Sequence, residues 1–278
     1  MGGLIVLVLD FWPFSLSKSQ LQNDRTHQLQ STTTAVEPVQ TSSEQLASVE
    51  AVQDDSLETI LGADLEWRNA QAGDLAQQRS EHFGVKLPEY DDSDLWLLSE
   101  ILKLGVPSSL LEGFATNGIA GRVATQMAAI AEGRVVRKEK GMARLSAFLV
   151  RQNGDENWLD ERGFERYDHY VDALVLIEPA TLAQFVSFVQ PLLETGLRRL
   201  GDHRAVSEIL RRACAKVLSV PVIEGDIRLV RPNVYYHFHD AALQNMTDLE
   251  KQFLRMGPKH TQTLQSYTRA FASAYFTP

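Results

Sequence analysis

The closing stretch TDLEKQFLRMGPKHTQTLQSYTRAFASAYF, residues 247–276, decides the class of fold. Thr247 and Glu250 have the spacing of a capping box, which marks the start of a helix. Gly257 is of the residue type that commonly ends a helix, and the proline after it suits the first turn of another. Apolar residues recur every three or four positions, which predicts two consecutive amphipathic helices. These residues are Leu249, Phe253, Leu254, Leu264, Tyr267, Phe271 and Tyr275.

The same spacing upstream predicts three more helices, over residues 164–177, 179–200 and 206–218. Cys214 lies in the apolar rhythm of the third. We expect a buried core thiol rather than a reactive one, because free cysteine is among the most buried residue types. As the sole cysteine of the chain, it also excludes an intrachain disulfide and a multi-cysteine metal site.

Two further helices are predicted near residue 90, where acidic side chains precede an apolar run. The first covers residues 95–104 and ends at Gly105. The second follows Pro107 and is expected to break near Gly118 or Gly121. We predict that residues 132–158 form an irregular connection between two groups of helices.

Extended structure is predicted in one place. Residues 226–230 and 233–238 are rich in Val, Tyr and Phe and are separated by Arg231-Pro232, which favours a two-stranded ribbon. In contrast, the polar segment 151–157 reads as a turn. The predicted fold is therefore mainly α: a compact helical domain over residues 86–278, with about seven helices and one short two-stranded β-ribbon.

The first part of the chain has a different composition. Residues 1–85 hold twelve acidic and four basic side chains, so nearly all of the net charge of −9 lies there. A self-repelling segment with few large apolar residues cannot offset the entropy of ordering, which predicts a disordered acidic linker over residues 17–85. The acidic total also disfavours nucleic acid as a partner.

Residues 1–16, MGGLIVLVLDFWPFSL, are the most apolar stretch of the chain. They are shorter than the roughly 20 residues of a spanning helix, and they lack the basic start and cleavage site of a secretory signal. Aromatic residues followed by Lys18 are typical of a membrane interface. We therefore hypothesise a truncated membrane anchor that gives this chain its membrane contact. The alternative is an apolar terminus without function.

A ligand-binding groove is predicted where tyrosines and arginines cluster in the sequence. Tyr167 and Tyr170 share a helix face, and Arg166 lies within stacking reach of Tyr170. With the aromatic ribbon and the arginine of LRMGP they are suited to a peptide, a glycan or a lipid headgroup. The candidate residues are Arg166, Tyr167, Tyr170, Tyr235, Tyr236 and Arg255. The alternative is that the tyrosines fill the edge of the core and Arg255 binds helix-end carbonyls.

His237 and His239 are the weak candidates for a metal site. Two residues apart on a strand, they would point to one face and could bind zinc with Asp240 nearby. No third ligand stands at a recognisable spacing, so we predict neither a metal nor a cofactor. The sequence also contains no P-loop, no glycine-rich dinucleotide turn, no GxSxG and no HExxH.

The order of these features resembles the bacterial domain-of-unknown-function family numbered 3014 (DUF3014). The resemblance covers about residues 86–277 and is most specific in the aromatic strand followed by LRMGP and a long terminal helix. The motifs are LPxxDxSD at 87–94, ERYDHYV at 165–171, QPLLETGLRRLG at 190–201, VYYHFHD at 234–240 and LRMGP at 254–258. It implies a single-pass envelope protein with an N-terminal anchor, a biased linker and this domain, and no established activity.

These features lead us to expect a tethered helical domain that acts as a binding or scaffolding module, with catalysis disfavoured. Its partner would be a protein or an envelope polymer, and the domain would lie in the periplasm, tethered to the inner membrane. Two alternatives stay open. One is a metal- or arginine-dependent enzyme acting on an envelope component, and the other is a cytoplasmic adaptor.

Overall fold

A computed structural model describes residues 86–111, 116–136 and 148–277 of the chain. This part is mainly helical, as predicted, and seven of its α-helices have eight residues or more. The helices are α1 (Ser93–Lys103), α2 (Ser108–Leu111), α3 (Ile119–Ala131), α4 (Asp168–Val175), α5 (Pro179–Arg199), α6 (Val206–Leu218), α7 (Ala241–Asn245), α8 (Asp248–Met256) and α9 (Pro258–Phe276).

The main core lies among α3, α5, α6 and α9, which pack against one another. Their apolar stripes supply most of the fully buried side chains, as the helical spacing predicted. Cys214 on α6 is among these buried residues, so the predicted core thiol is confirmed. α1 covers α3, while α4 and α8 pack on α9.

The N-terminus of α3 is capped from another helix. Gly118 breaks the chain with a left-handed φ of 64°, at one of the two predicted positions. The Asp94 carboxylate on α1 then accepts hydrogen bonds from the Gly118 N–H (2.7 Å) and the Ile119 N–H (2.8 Å). A carboxylate at this end satisfies free donors and complements the helix dipole, so Asp94 joins α1 to α3.

The LRMGP corner forms as predicted. The Thr247 N–H donates to the Glu250 carboxylate at 2.7 Å and the Thr247 hydroxyl accepts from the Glu250 N–H at 3.3 Å, which completes the capping box of α8. Gly257 joins α8 to α9 with φ 84° and ψ 168°, a conformation essentially restricted to glycine. The corner places the last turn of α8 beside the sheet-side aromatic residues.

The predicted pairing of two strands is confirmed, but they do not form a separate two-stranded ribbon, because they belong to a four-stranded antiparallel sheet of order β1-β2-β3-β4. The strands are β1 (Val150–Asn153), β2 (Glu156–Leu159), β3 (Arg228–Val230) and β4 (His237–Phe238). β3 and β4 pair as expected, with Leu229 opposite Phe238. On its other side β3 pairs with β2, which places Asn157 opposite Leu229.

The two strands that the sequence did not predict, β1 and β2, lie mostly in residues 151–157, the polar segment predicted to be a turn. β1 and β2 form a hairpin around Gly154, which has a left-handed φ of 59°. Their side chains are mostly exposed or half-buried, so the hairpin lacks the apolar alternation by which strands are detected. Pairing with β3, distant in sequence, and burial of Leu159 hold it in place.

The sheet encloses a second, smaller apolar cluster beside the main core. Its buried members are Leu159, Ile227, Leu229, Phe238 and Leu254. Half-buried aromatic side chains, including Phe148, Phe164 and Tyr236, pack around it. Leu254 comes from α8, so the last helix pair joins the sheet to the helical body.

The predicted anchor (residues 1–16) and acidic linker (residues 17–85) lie outside the described residues. Within the described part of the chain, no single helix is both long enough and apolar enough to cross a membrane. One bent pair, Glu161–Val175 with Pro179–Arg199, meets the length and composition criteria at an angle of 75°.

Candidate functional site

The candidate site lies where the sheet meets the helical body. Arg166 is presented by a 3-10 turn, Glu165–Tyr167, immediately before α4. Arg255 is presented by the last turn of α8, one residue before the helix ends at Met256. Tyr167, the last residue of that turn, is 1% exposed.

Aromatic rings hold the Arg166 guanidinium. Its Cζ lies 4.7 Å from the centre of the Tyr167 ring and 5.4 Å from that of Phe148. Both distances are within the range of cation–π attraction. The buried Arg166 Nε has no hydrogen-bond partner among the described residues. The aromatic contacts therefore position this arginine while leaving one of its donors without an acceptor.

Arg255 lies in the same electrostatic environment. Its Cζ is 5.7 Å from the centre of the Phe238 ring. Burial lowers the pKa of Arg255, and the positive charge of Arg166 acts in the same direction. The Asp248 carboxylate opposes that shift in the pKa, as does the Tyr167 phenolate, which forms only at high pH. The positive charge of Arg166 thus adds to burial in disfavouring the charged form of Arg255.

Tyr167 remains a neutral phenol between these cations. Burial raises the pKa of Tyr167 to about 12, although the charges of Arg166 and Arg255 act to lower it. At neutral pH its hydroxyl therefore adds no negative charge that would offset the two guanidinium groups.

The aromatic series continues onto the sheet. Phe148 lies 6.3 Å, centre to centre, from the ring of Tyr236, and the Arg231 guanidinium lies 5.4 Å from the centre of that same ring. Ring and cation contacts therefore join Arg166 through Phe148 and Tyr236 to Arg231. We call this set the arginine–aromatic cluster: Phe148, Arg166, Tyr167, Arg231, Tyr236, Phe238 and Arg255.

Three other arginines near the sheet each form an ion pair with a carboxylate. Arg151 binds Asp226 at 2.5 Å, Arg162 binds Asp160 at 2.6 Å and Arg228 binds Glu156 at 2.9 Å. Arg166 and Arg231, by contrast, have no carboxylate within ion-pair distance in the described ranges. The cluster is a local excess of positive charge in a domain otherwise rich in ion pairs.

Four of the six residues predicted from sequence to bind a ligand meet in this cluster: Arg166, Tyr167, Tyr236 and Arg255. The other two have different surroundings. Tyr170 is buried in the main core and its ring packs on His169 at 3.8 Å. Tyr235 is 50% exposed, next to the cluster in sequence. Sequence reasoning missed Phe148, which bridges Arg166 and Tyr236, because its segment shows no helical or strand period.

The two weak metal candidates have separate environments. His237 Nδ1 lies 3.3 Å from the Gln244 side-chain amide, while His239 is exposed beyond the end of β4. The described residues contain no group of three His, Cys, Asp or Glu side chains arranged to hold a metal ion.

Buried His260 is engaged at both ring nitrogens. Its Nδ1 lies 2.6 Å from the Met256 carbonyl oxygen and its Nε2 lies 2.7 Å from Asp168 Oδ1. Since both neighbours accept hydrogen bonds, the imidazole ties the start of α4 to the α8–α9 corner. This leaves it without a nitrogen to offer a ligand.

Comparison with known proteins gives one match. A family model described as "Protein of unknown function (DUF3014)" matches residues 119–272, more than half of the chain. The matched segment begins at the first residue of α3, ends within α9 and contains both arginine-bearing elements of the cluster. No curated protein and no solved structure matches the chain.

Proposed function

Because the chain belongs to the DUF3014 family of proteins of unknown function, we propose its role from its own residues: a tethered, non-catalytic binding module of the bacterial envelope. In this proposal residues 1–16 contact the inner membrane and residues 17–85 form an acidic spacer. The helical domain then recognises its partner in the periplasm through the arginine–aromatic cluster.

The observation that carries the proposal is the partial burial of two arginines, Arg166 and Arg255, whose guanidinium groups lie over aromatic rings of the cluster. Desolvating a charge is costly unless a counter-charge or hydrogen bonds compensate it. The neighbouring rings offset part of this cost, and Asp248 opposes the positive charge at Arg255. A ligand that supplies an acceptor to the half-buried Arg166 guanidinium would offset more of it, which favours a binding site over a purely structural contact.

Two side chains that often serve catalysis are occupied or inaccessible in this domain. His260 uses both nitrogens for internal hydrogen bonds, and Cys214 is buried in α6. The exposed Arg231 and the half-buried Tyr236 at the rim of the cluster are instead of residue types typical of recognition surfaces. These facts support a binding role for the cluster over the alternative of an arginine-dependent enzyme.

Site-specific photo-crosslinking in cells tests the binding role. A photo-reactive residue replaces Tyr235, whose 50% exposure next to the cluster suits it to report on a bound partner. We expect a discrete adduct that disappears when Arg166→Gln is combined with it. The matched control places the probe at Leu176, which is 72% exposed between α4 and α5. An equal adduct at both positions, or one unaffected by Arg166→Gln, would refute the site.

Tethering is tested separately on the full chain. We expect the protein to sediment with membranes and a variant lacking residues 2–16 to stay in the supernatant. Alkaline phosphatase fused to the C-terminus should be active, since that enzyme requires the oxidising periplasm. A supernatant location for the full chain with an inactive fusion would instead support the cytoplasmic adaptor.

A further inference from the structure

The imidazole of His260 joins the start of α4 to the α8–α9 corner, next to both arginine-bearing elements of the cluster. Resting on the proposed binding function, we infer that His260 and Asp168 form a proton-dependent latch that regulates the cluster. With a proton between them the latch is closed and the cluster binds its partner. Loss of that proton at higher pH releases the turn that carries Arg166.

The two hydrogen bonds of the His260 ring require two protons. Its Nδ1 lies 2.6 Å from the Met256 carbonyl oxygen, and its Nε2 lies 2.7 Å from Asp168 Oδ1. A carbonyl oxygen and an ionised carboxylate only accept hydrogen bonds, whereas a neutral imidazole has a single N–H. Both bonds therefore form only when the imidazole and the carboxyl group together hold two protons.

The second proton belongs on the imidazole, because a carboxylic acid is ordinarily a stronger acid than an imidazolium. Asp168 is the first residue of α4, where a negative charge also complements the helix dipole. The closed latch is thus a buried His260 imidazolium paired with an Asp168 carboxylate. The Asp168 side chain is 49% exposed, so the shared proton can exchange with solvent.

Charged and titratable side chains on the elements packed near His260 come from α4, from the turn before it, from the last turn of α8 and from α9 itself. They are Asp168, His169, Asp172, Glu165, Arg166, Tyr167, Arg255 and Lys259. The helices α5 and α6 make their hydrogen bonds to α9 farther along, at Tyr275 and Gln265. Asp168 is the carboxylate bonded to the ring, so the bond between them is the one that the proton decides.

Two other contacts hold the same segment and do not depend on this proton. The Phe164 ring packs against the α8–α9 corner. At the far end of α4 the Tyr267 hydroxyl donates to the Ile177 carbonyl oxygen at 2.9 Å, and burial raises the pKa of Tyr267, so that bond persists. Residues 165–176 lie between these two points. Opening the latch therefore loosens the first half of this segment, which carries Arg166, and leaves its ends in place.

The number of protons on the ring is measured by ¹⁵N NMR of the full chain labelled at histidine. Spectra are recorded at about pH 6 and about pH 9, which bracket the range in which histidine ordinarily titrates. The His260 resonances are those absent from His260→Gln. We expect both ring nitrogens to carry hydrogen at the lower pH, and one of them to lose it at the higher pH. If the variant does not fold, assignment through the backbone of α9 lets the wild-type spectra decide alone.

Amide hydrogen exchange locates the opening. Wild type and His260→Gln are compared at the same pH, so the intrinsic dependence of exchange on pH cancels. A glutamine amide can donate to Asp168 at either pH, which keeps the latch closed. We expect equal exchange over residues 165–176 at about pH 6. At about pH 9 the wild type should exchange about tenfold faster, the order expected for one lost hydrogen bond to a charged group.

The matched control is His203→Gln. His203 is exposed in the loop between α5 and α6, so this variant should exchange like the wild type at both pH values. Three outcomes would overturn the latch: a single ring N–H on His260 at about pH 6, two ring N–H groups at both pH values, or equal exchange in wild type and His260→Gln at about pH 9.

Regulation of binding is read from the photo-crosslink at Tyr235 in cells resuspended at the same two pH values. We expect the adduct of the wild type to fall about tenfold at the higher pH, in step with the opening of the latch. The adduct of His260→Gln should stay constant, and that of His203→Gln should fall like the wild type.

The latch and the binding module fail separately. Absence of any Tyr235 adduct at both pH values removes the binding module, while the spectra and the amide exchange still decide the latch. An adduct that depends on Arg166 but has the same yield at both pH values keeps the module and overturns its regulation by His260.

Discussion

The ring of Phe164 packs directly against the backbone of Gly257. A Cβ atom placed on Gly257 would lie 2.7 Å from two atoms of that ring, closer than real Cβ atoms approach other heavy atoms. Phe164 precedes the turn that carries Arg166, and Gly257 follows the helix that carries Arg255. This contact therefore sets the separation of the two arginine-bearing elements.

We expect Gly257→Ala to lower the free energy of unfolding by about 2–5 kcal/mol, because a strained backbone and a steric overlap act together. The measurement is urea denaturation followed by circular dichroism. Gly225→Ala is the control: Gly225 also has a positive φ of 87°, but its Cβ would meet nothing within 4 Å. Equal losses in the two variants would mean that the Phe164 contact contributes nothing.

Removing the distant cap of α3 should destabilise the domain by about 1–2 kcal/mol, the usual cost of losing a helix N-cap. The change is Asp94→Ala, which frees the N–H groups of Gly118 and Ile119. Thermal unfolding of this variant is compared with that of Asp92→Ala, since the exposed Asp92 makes no side-chain capping bond. A melting temperature as low in Asp92→Ala as in Asp94→Ala would contradict the assignment.

The Asp202–Arg204 pair should make stability depend on pH. The hydrogen bond from Arg204 lowers the pKa of Asp202 below its ordinary value of 3.8. The unfolded chain therefore binds the proton more readily, so the contribution is present above that value and is lost as the pH falls through the lowered pKa.

Arg204→Gln tests this dependence. We expect a loss of about 1 kcal/mol at neutral pH, and a shallower decline in stability than the wild type between about pH 5 and pH 2. Urea titrations across this range measure both. Parallel curves for the two proteins, separated by a constant difference, would rule out the proposed linkage at Asp202.

Cys214 should resist thiol reagents in the folded protein. Burial raises the pKa of its thiol to about 11, and only the thiolate reacts readily. We expect no modification by a chromogenic disulfide reagent at pH 8, and one thiol per chain once the protein is denatured in urea. Rapid labelling under native conditions would show that α6 exposes this side chain.

Local chemistry made the helices predictable. The capping box of Thr247 and Glu250, the glycine and proline of the LRMGP corner and the helical stripes of α5, α6 and α9 depend on neighbours a few residues away. Such interactions are readable from the order of residues, and the family resemblance that rests on them is confirmed over residues 119–272.

Long-range contacts decided the rest. The hairpin of β1 and β2 has no apolar alternation of its own, and its pairing with β3 follows from tertiary packing. The same packing places Arg166 against Phe148 and Tyr167 and buries Tyr170 in the main core. By itself the sequence determined a mainly helical domain and a list of arginines and tyrosines. Only the tertiary structure decided which of them belong to the arginine–aromatic cluster. The reason is that burial and ring contacts depend on residues that meet only after folding.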